Sequence, residues 1–172
     1  MITFYADDKP HYYLSNFYPY PLKNKNKTWK GLSIQYEGQS WPTSEHLYQA
    51  LKFLNETKDE KEWRECIRNA TTPFISKYLG HQNTHTQYSW QGKYKEWVLH
   101  YKDKVRHAID VSNPLEKQKI MITACRAKFA IPELMQQLKS TGNSTLGEDS
   151  NDEWGFRGAN LLGNVLVQIR DE

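Results

Sequence analysis

Trp41-Pro42-Thr43-Ser44-Glu45-His46-Leu47-Tyr48-Gln49-Ala50-Leu51-Lys52-Phe53 is the stretch whose reading decides the fold. Successive helical residues turn by about 100°. Leu47, Ala50, Leu51 and the following Leu54 therefore gather on one side of a helix spanning 43–54. Gln49 and Lys52 lie within about 40° of Glu45 on the opposite side. One face belongs to a core; the other carries a carboxylate, an amide and an ammonium. A polar helix face is ordinarily solvated, and an exposed Glu–Lys pair on it contributes little. Two features argue for a functional face instead: Tyr48 and Phe53 border the stripe, and Glu45 sits in the first turn.

Helical patterns continue on the C-terminal side. Thr57 and Glu60 form a capping-box pair that starts a helix through Trp63, Cys66, Ile67 and Ala70. Thr72-Pro73 starts a shorter one, ended by Gly80. Lys93 to Ala108 places Tyr94, Trp97, Val98, Tyr101 and Val105 on one stripe. Asn113-Pro114 opens a helix that must stop before Pro132. Pro132–Lys139 is a further helix, closed by Gly142. Leu161, Leu162, Val165, Leu166 and Ile169 fit helical spacing, although Val165, Val167 and Ile169 also alternate as a strand would. Upstream, Thr3–Tyr5, Tyr12–Leu14 and Leu32–Tyr36 read as short strands, with Lys23–Lys27 a polar loop. The expectation is a mainly α (α+β) fold: one multihelical domain over residues 1–172 with a small N-terminal β element.

Composition narrows the class. The chain has 23 Lys and Arg against 20 Asp and Glu, a net charge of +3, too mild to announce a nucleic-acid binder. Six Trp, eleven Tyr and six Phe are many for a chain of this size; part serves the core, and the rest suits a pocket for a flat ligand. Cys66 and Cys125 fall in apolar helical patterns and read as reduced core thiols. No apolar run approaches membrane-spanning length, and the first residues lack a signal-peptide pattern. A cytoplasmic or nuclear protein without a membrane partner is expected. His81 and His85 have i,i+4 spacing but no acidic or cysteine neighbours to complete a metal site, so no metal or cofactor is expected.

The second informative stretch is Ser150-Asn151-Asp152-Glu153-Trp154-Gly155-Phe156-Arg157-Gly158-Ala159-Asn160-Leu161-Leu162-Gly163. Its glycine density excludes a regular element and lets backbone approach a ligand closely. Trp154 offers a stacking face, and its acids can manage a proton or a developing positive charge. A loop capped by Asp152 is the plainer alternative. Leu14-Ser15-Asn16-Phe17 is a third such segment.

These segments, taken in order, resemble the NADAR (YbiA-like) family. The matching elements are Leu14–Phe17; Trp41–Phe53; Met121 through Lys128-Phe129; Leu138 with Thr141-Gly142; Leu146 with Glu148 and Ser150; Asp152 with Trp154-Gly155; Gly158 with Asn160–Gly163; and Ile169-Arg170. The resemblance implies a mainly α fold and hydrolysis of an N-glycosidic bond between a base and ribose or ADP-ribose. Two substrate classes follow from it: ribosylamino-pyrimidine or -purine phosphates, including early riboflavin intermediates, and ADP-ribose joined to guanine, including ADP-ribosylated nucleic acid. A non-catalytic ADP-ribose or NAD-binding module is the alternative.

Breaking a ribosyl C1′–N bond develops oxocarbenium character, which a carboxylate stabilises while activating water. Glu45 and Asp152 are the catalytic candidates. For binding, Trp154 and Trp90 are candidate base-stacking walls; Lys52, Arg126, Lys128 and Arg157, with the N–H groups of Gly155 and Gly158, are candidate phosphate contacts. Asn16, Gln49 and Asn160 suit ribose hydroxyls, and Phe17, Tyr48 and Glu148 complete the set. The chain departs from the family at Tyr88-Ser89-Trp90, where a basic residue and an acid commonly precede the tryptophan, and in a longer 91–113 segment. That segment carries Lys93, Lys95, Lys102, Lys104 and Arg106, which would favour a polyanionic substrate if they bordered the site.

Overall fold

The computed structural model describes residues 1–24 and 27–172, with the side chain of Trp90 also outside the described residues. Two compact units emerge, Met1–Ser44 with Gln118–Glu172, and Glu45–Lys117. Helices α1 (Ser44–Leu51) and α5 (Pro114–Phe129) run through the two boundaries. The fold is mainly α, with seven helices and four short strands among the described residues.

In the first unit, β1 (Ile2–Phe4) pairs in parallel with β4 (Leu146–Glu148), Thr3 opposite Gly147. Strands β2 (Ile34–Tyr36) and β3 (Gln39–Trp41) form an antiparallel hairpin. Its turn has φ of 47° at Glu37 and 77° at Gly38, the two left-handed residues a tight hairpin needs. Tyr12–Leu14, expected as a strand, is one turn of 3₁₀ helix, because the amides of Leu14 and Ser15 bond three residues back. Helix α6 (Pro132–Lys139) and helix α7 (Leu161–Asp171) pack on each other, and α7 also packs on β4. Leu138, Leu146, Leu162, Val165 and Leu166 are buried there. The 161–169 pattern thus resolves as helix. Arg170, buried near its end, donates from Nη1 to Thr141 Oγ1 at 3.1 Å and Ser144 O at 2.6 Å. One guanidinium thereby fastens the turn after α6, where Gly142 takes φ of 59°.

In the second unit, α2 (Lys58–Arg68) carries the expected capping box: Thr57 Oγ1 accepts from Glu60 N at 3.1 Å, and Glu60 Oε1 accepts from Thr57 N at 3.0 Å. Helix α3 (Pro73–Gly80) begins at Thr72, whose hydroxyl accepts from Ile75 N. Helix α4 (Gly92–Tyr101) stops seven residues short of the expected end. The reason is tertiary. Arg106 donates from N and Nε to Glu60 Oε2, each at 3.1 Å, which draws this stretch out of helical geometry. Leu54 N then bonds Arg106 O, Ala108 N bonds Lys52 O, and the His107 ring stacks on Phe53 at 4.9 Å. The same contacts end α1 at Leu51 rather than at residue 54.

Candidate active site

Helix α1 is buried along its whole length. The expected solvated alternative for its polar face does not hold: Glu45 is 6% exposed, Gln49 1% and Lys52 4%. The carboxylate and the amide meet directly. Gln49 Nε2 donates to Glu45 Oε1 at 2.7 Å, one helical turn apart. Glu45 also stands in the first turn, where the helix dipole favours a negative charge. Lys52 Nζ lies 5.0 Å from the centre of the Tyr48 ring. His46, pointing elsewhere, is structural: burial holds it down to about 4, and its Nε2 donates to Ala70 O at 2.9 Å.

In the first unit, Asn16 and Lys128 are tied to α5. Asn16 is buried; its Oδ1 accepts from Ser44 Oγ at 2.8 Å, and its Nδ2 reaches Met121 Sδ at 3.2 Å. Lys128 is fully buried and donates to Ser15 O at 2.7 Å, with the Phe129 and Tyr18 rings 5.1 and 5.7 Å away. Burial pushes its ammonium down to about 7. The sequence assigns Asn16 and Lys128 to a ligand; both instead bind neighbouring chain at these atoms. Phe17 is half-buried, its N–H accepted by Ser15 Oγ. Arg126, two residues from Lys128, is exposed and turns to the Glu172 carboxylate.

The Ser150–Gly158 loop is built around Asp152. One oxygen, Oδ1, accepts from Ser150 Oγ (2.9 Å), Trp154 N (3.0 Å) and Gly155 N (3.1 Å). Asp152 is exposed and Trp154 half-buried. The glycines serve the loop itself. A Cβ at Gly155 would stand 2.2 Å from Ser150 O, and one at Gly158 2.1 Å from Asp152 O. Their amides donate inside the loop, Gly155 N to Asp152 and Gly158 N to Gly155 O, rather than forming an outward phosphate cradle. Glu148 is half-buried at the end of β4, and its carbonyl accepts from Phe156 N. Asn160 precedes α7 in a left-handed conformation, φ 54°, and donates from Nδ2 to Leu146 O at 3.0 Å. Arg157 pairs with Asp149 at 2.8 Å on the surface.

Trp90, the other expected wall, lies outside the described residues as far as its side chain is concerned; so do Lys25 and Asn26 of the polar loop. Neither Cys66 nor Cys125 is in a disulfide among the described residues; Cys125 is buried as expected, Cys66 only half. Cys66 lines an open groove of 640 Å³ with Lys58, Lys61, Glu62, Glu65 and Tyr101, which holds none of the expected site residues. No group of three acidic, His or Cys side chains suited to a metal occurs among the described residues. No helix among them is long and apolar enough to cross a membrane.

The NADAR domain family matches residues 3–172. The chain belongs to the NADAR family. Among NADAR relatives, it is 28% identical to the N-glycosidase YbiA of Escherichia coli K12, over all of this chain and 88% of that protein. It is also 28% identical to a riboflavin biosynthesis protein of Vibrio vulnificus, over 99% of this chain but 38% of the other. A chloroplastic riboflavin biosynthesis protein of Zea mays is 31% identical, over 77% of this chain and 20% of that protein. The solution structure of Escherichia coli YbiA superposes with a TM-score of 0.61, at 28% identity, covering 99% of this chain and 82% of that one. NADAR membership thus extends over both compact units and agrees with the mainly α fold.

Residues that sequence reasoning misses are those that hold others. Ser44 fixes Asn16, and Ser15 receives Lys128. Both stand inside informative segments, but nothing in their spacing marks a holding role.

Proposed function

We propose that this NADAR protein is a hydrolase of N-glycosyl compounds that cleaves the C1′–N bond between a base and a phosphorylated ribose. The observation that carries this reading is Glu45: a carboxylate buried in the first turn of α1 and oriented by a 2.7 Å bond from Gln49. Burying a carboxylate with so little compensation is costly, and such groups concentrate where chemistry is done. In this reading it stabilises positive charge at C1′ and draws a proton from the attacking water. The C1′–N bond breaks, the water oxygen takes its place on C1′, and the departing nitrogen receives a proton. Lys52, further along the same buried stretch, is assigned to the substrate phosphate. Tyr48, beside Lys52, is assigned to the substrate as well. Asp152 is kept as a second acid, with Oδ1 committed to its turn; Trp154 is assigned to stacking on the base.

A ribosylamino-pyrimidine phosphate is the favoured substrate class, supported by relatives named for riboflavin biosynthesis. ADP-ribosyl-guanine, free or in DNA, is the comparison substrate. The test is product analysis by mass spectrometry over both, with NAD and ADP-ribose beside them, for wild type and Glu45→Gln. Release of free base from the pyrimidine substrate alone, lost in the variant, is the expected result. Release from ADP-ribosyl-guanine alone would move the substrate class. Absence of turnover throughout, with ADP-ribose still binding, would replace the enzyme by a binding module.

A further inference from the structure

Gly80 has no conformational reason to be glycine. It is the last residue of α3 and does not take a positive φ; His81 after it continues in right-handed geometry at φ −81°, and the left-handed step falls to Gln82 at φ 50°. In such a place alanine is the better helix former by roughly 1 kcal/mol. The helix ends at Gly80 as expected, but without the left-handed turn for which glycine is favoured there. What glycine supplies here is room. A Cβ at residue 80 would stand 2.1 Å from Gln49 Oε1 and 2.8 Å from both Gln49 Cβ and Cδ.

Gln49 is enclosed. It is 1% exposed, and its Oε1 is buried without a hydrogen-bond partner among the described residues. The amide is fixed at one end by the bond from Nε2 to Glu45 Oε1 and at the other by contact with the bare backbone of Gly80. Steric seating takes the role a second hydrogen bond would otherwise have. We propose that Gly80 is a positioning residue for the Glu45 carboxylate, acting through the Gln49 amide that it seats. Gln49 thereby acts on Glu45 rather than on a ribose hydroxyl. The inference rests on the assignment of Glu45 as the reacting carboxylate and names what keeps that group in place.

The test is a double-mutant cycle of Gly80→Ala and Gln49→Ala, read by kinetics on the substrate that wild type turns over and by nuclear magnetic resonance of the Gln49 side-chain amide. In Gly80→Ala, kcat is expected to fall about tenfold to a hundredfold, as for a reacting group displaced by about 1 Å. KM should stay within about twofold, as for an interaction that matters at the transition state. The Gln49 Nε2 resonances should shift while the melting temperature stays within a few degrees. Gln49→Ala removes the Oε1 and Cδ that a methyl group at position 80 would strike and leaves only the Cβ contact at 2.8 Å, so Gly80→Ala should cost clearly less in that background than alone. Additive losses in kcat, or unmoved Gln49 resonances in Gly80→Ala, would overturn the inference by themselves. Wild-type rates in Glu45→Gln would instead remove the assignment beneath it, and with it the catalytic consequence. If Gly80→Ala does not fold, Gln49→Ala alone still decides: an unchanged kcat there is fatal to the proposal.

Discussion

Two glutamates in the second unit stand in the first turns of their helices, and both are buried, yet they are treated in opposite ways. Glu60, on α2, is wholly inaccessible and saturated. Its oxygens accept from the amides of Thr57, Glu56 and Arg106 and from the Arg106 guanidinium. Glu45, on α1, is nearly as far removed from water but, among the described residues, is met by the side-chain amide of Gln49 alone. The environment of Glu60 satisfies a carboxylate; that of Glu45 leaves one poised. A buried anion surrounded by donors is a structural part. A buried anion held at one oxygen is available to a substrate cation.

The sharpest way to test this contrast is to remove each charge. Glu45→Gln keeps shape and, in the proposed mechanism, abolishes the group that meets C1′. Turnover should fall by about a thousandfold, within the range for loss of a positioned acid–base group. Stability should hold, since the amide keeps the shape of the carboxylate and its oxygen can still accept from Gln49. Steady-state kinetics with chemical denaturation on the same preparation checks both halves. Loss of activity together with loss of fold would make Glu45 a second Glu60.

Glu60→Ala should do the reverse. It deletes half of a capping box and leaves Arg106 and several amides without their acceptor, so a loss of about 3 kcal/mol is expected. Turnover per folded molecule should remain near wild type. The urea midpoint and kcat at low temperature measure the two effects separately. Acid should report the same residue. Hydrogen bonds from Arg106, then from the Thr57 amide, hold Glu60 at about 2 against an ordinary 4.5. Its folded-state value is depressed, so its contribution is complete above about 4.5 and is lost as pH falls toward 2. Stability of wild type should therefore drop more steeply across that window than stability of Glu60→Gln.

The contrast also shows what is legible in the sequence. Capping residues are local, and Thr57, Glu60, Thr72 and Pro132 mark the starts of their helices within the chain itself. Helix ends set by distant partners are not local. The early stop of α4 depends on Arg106 meeting Glu60, 46 residues away, and nothing near Tyr101 encodes it. Likewise β4 exists because Leu146–Glu148 finds Ile2–Phe4 at the far end of the chain. The hairpin turn is only faintly readable from Gly38, because Glu37 is a less usual left-handed partner than Asn or Asp. In the candidate site, the polar stripe of α1 is legible as a stripe, but its burial is not. The Asp152 loop shows the opposite failure. Its glycine density correctly excludes a regular element, yet the close approach is that of the loop to itself. Residue type tells that backbone comes near something, not what that something is.

Lys128 extends the comparison to a buried cation. It resembles Glu45 in being enclosed, and Glu60 in having a defined partner, the Ser15 carbonyl at 2.7 Å. A neutral carbonyl cannot balance a full charge, so burial pushes the ammonium down to about 7 from 10.5. The consequence for stability has its own window, far from that of Glu60. Below about 7 both folded and unfolded chains carry the proton, and the cost of burying the charge is at its full value. Between about 7 and 10.5 the unfolded chain holds the proton while the folded chain releases it, so this group makes stability rise with pH. Replacement by an uncharged side chain of similar length, Lys128→Met, should flatten that rise, while leaving the Ser15 carbonyl short of a donor at a cost of about 1 kcal/mol. Denaturation midpoints for wild type and Lys128→Met at about pH 6.5 and about pH 9.5, on either side of the folded-state value, measure the difference directly. An equal slope in both would mean that the lysine keeps its proton in the folded chain, and that the rings of Phe129 and Tyr18 hold the cation better than burial opposes it.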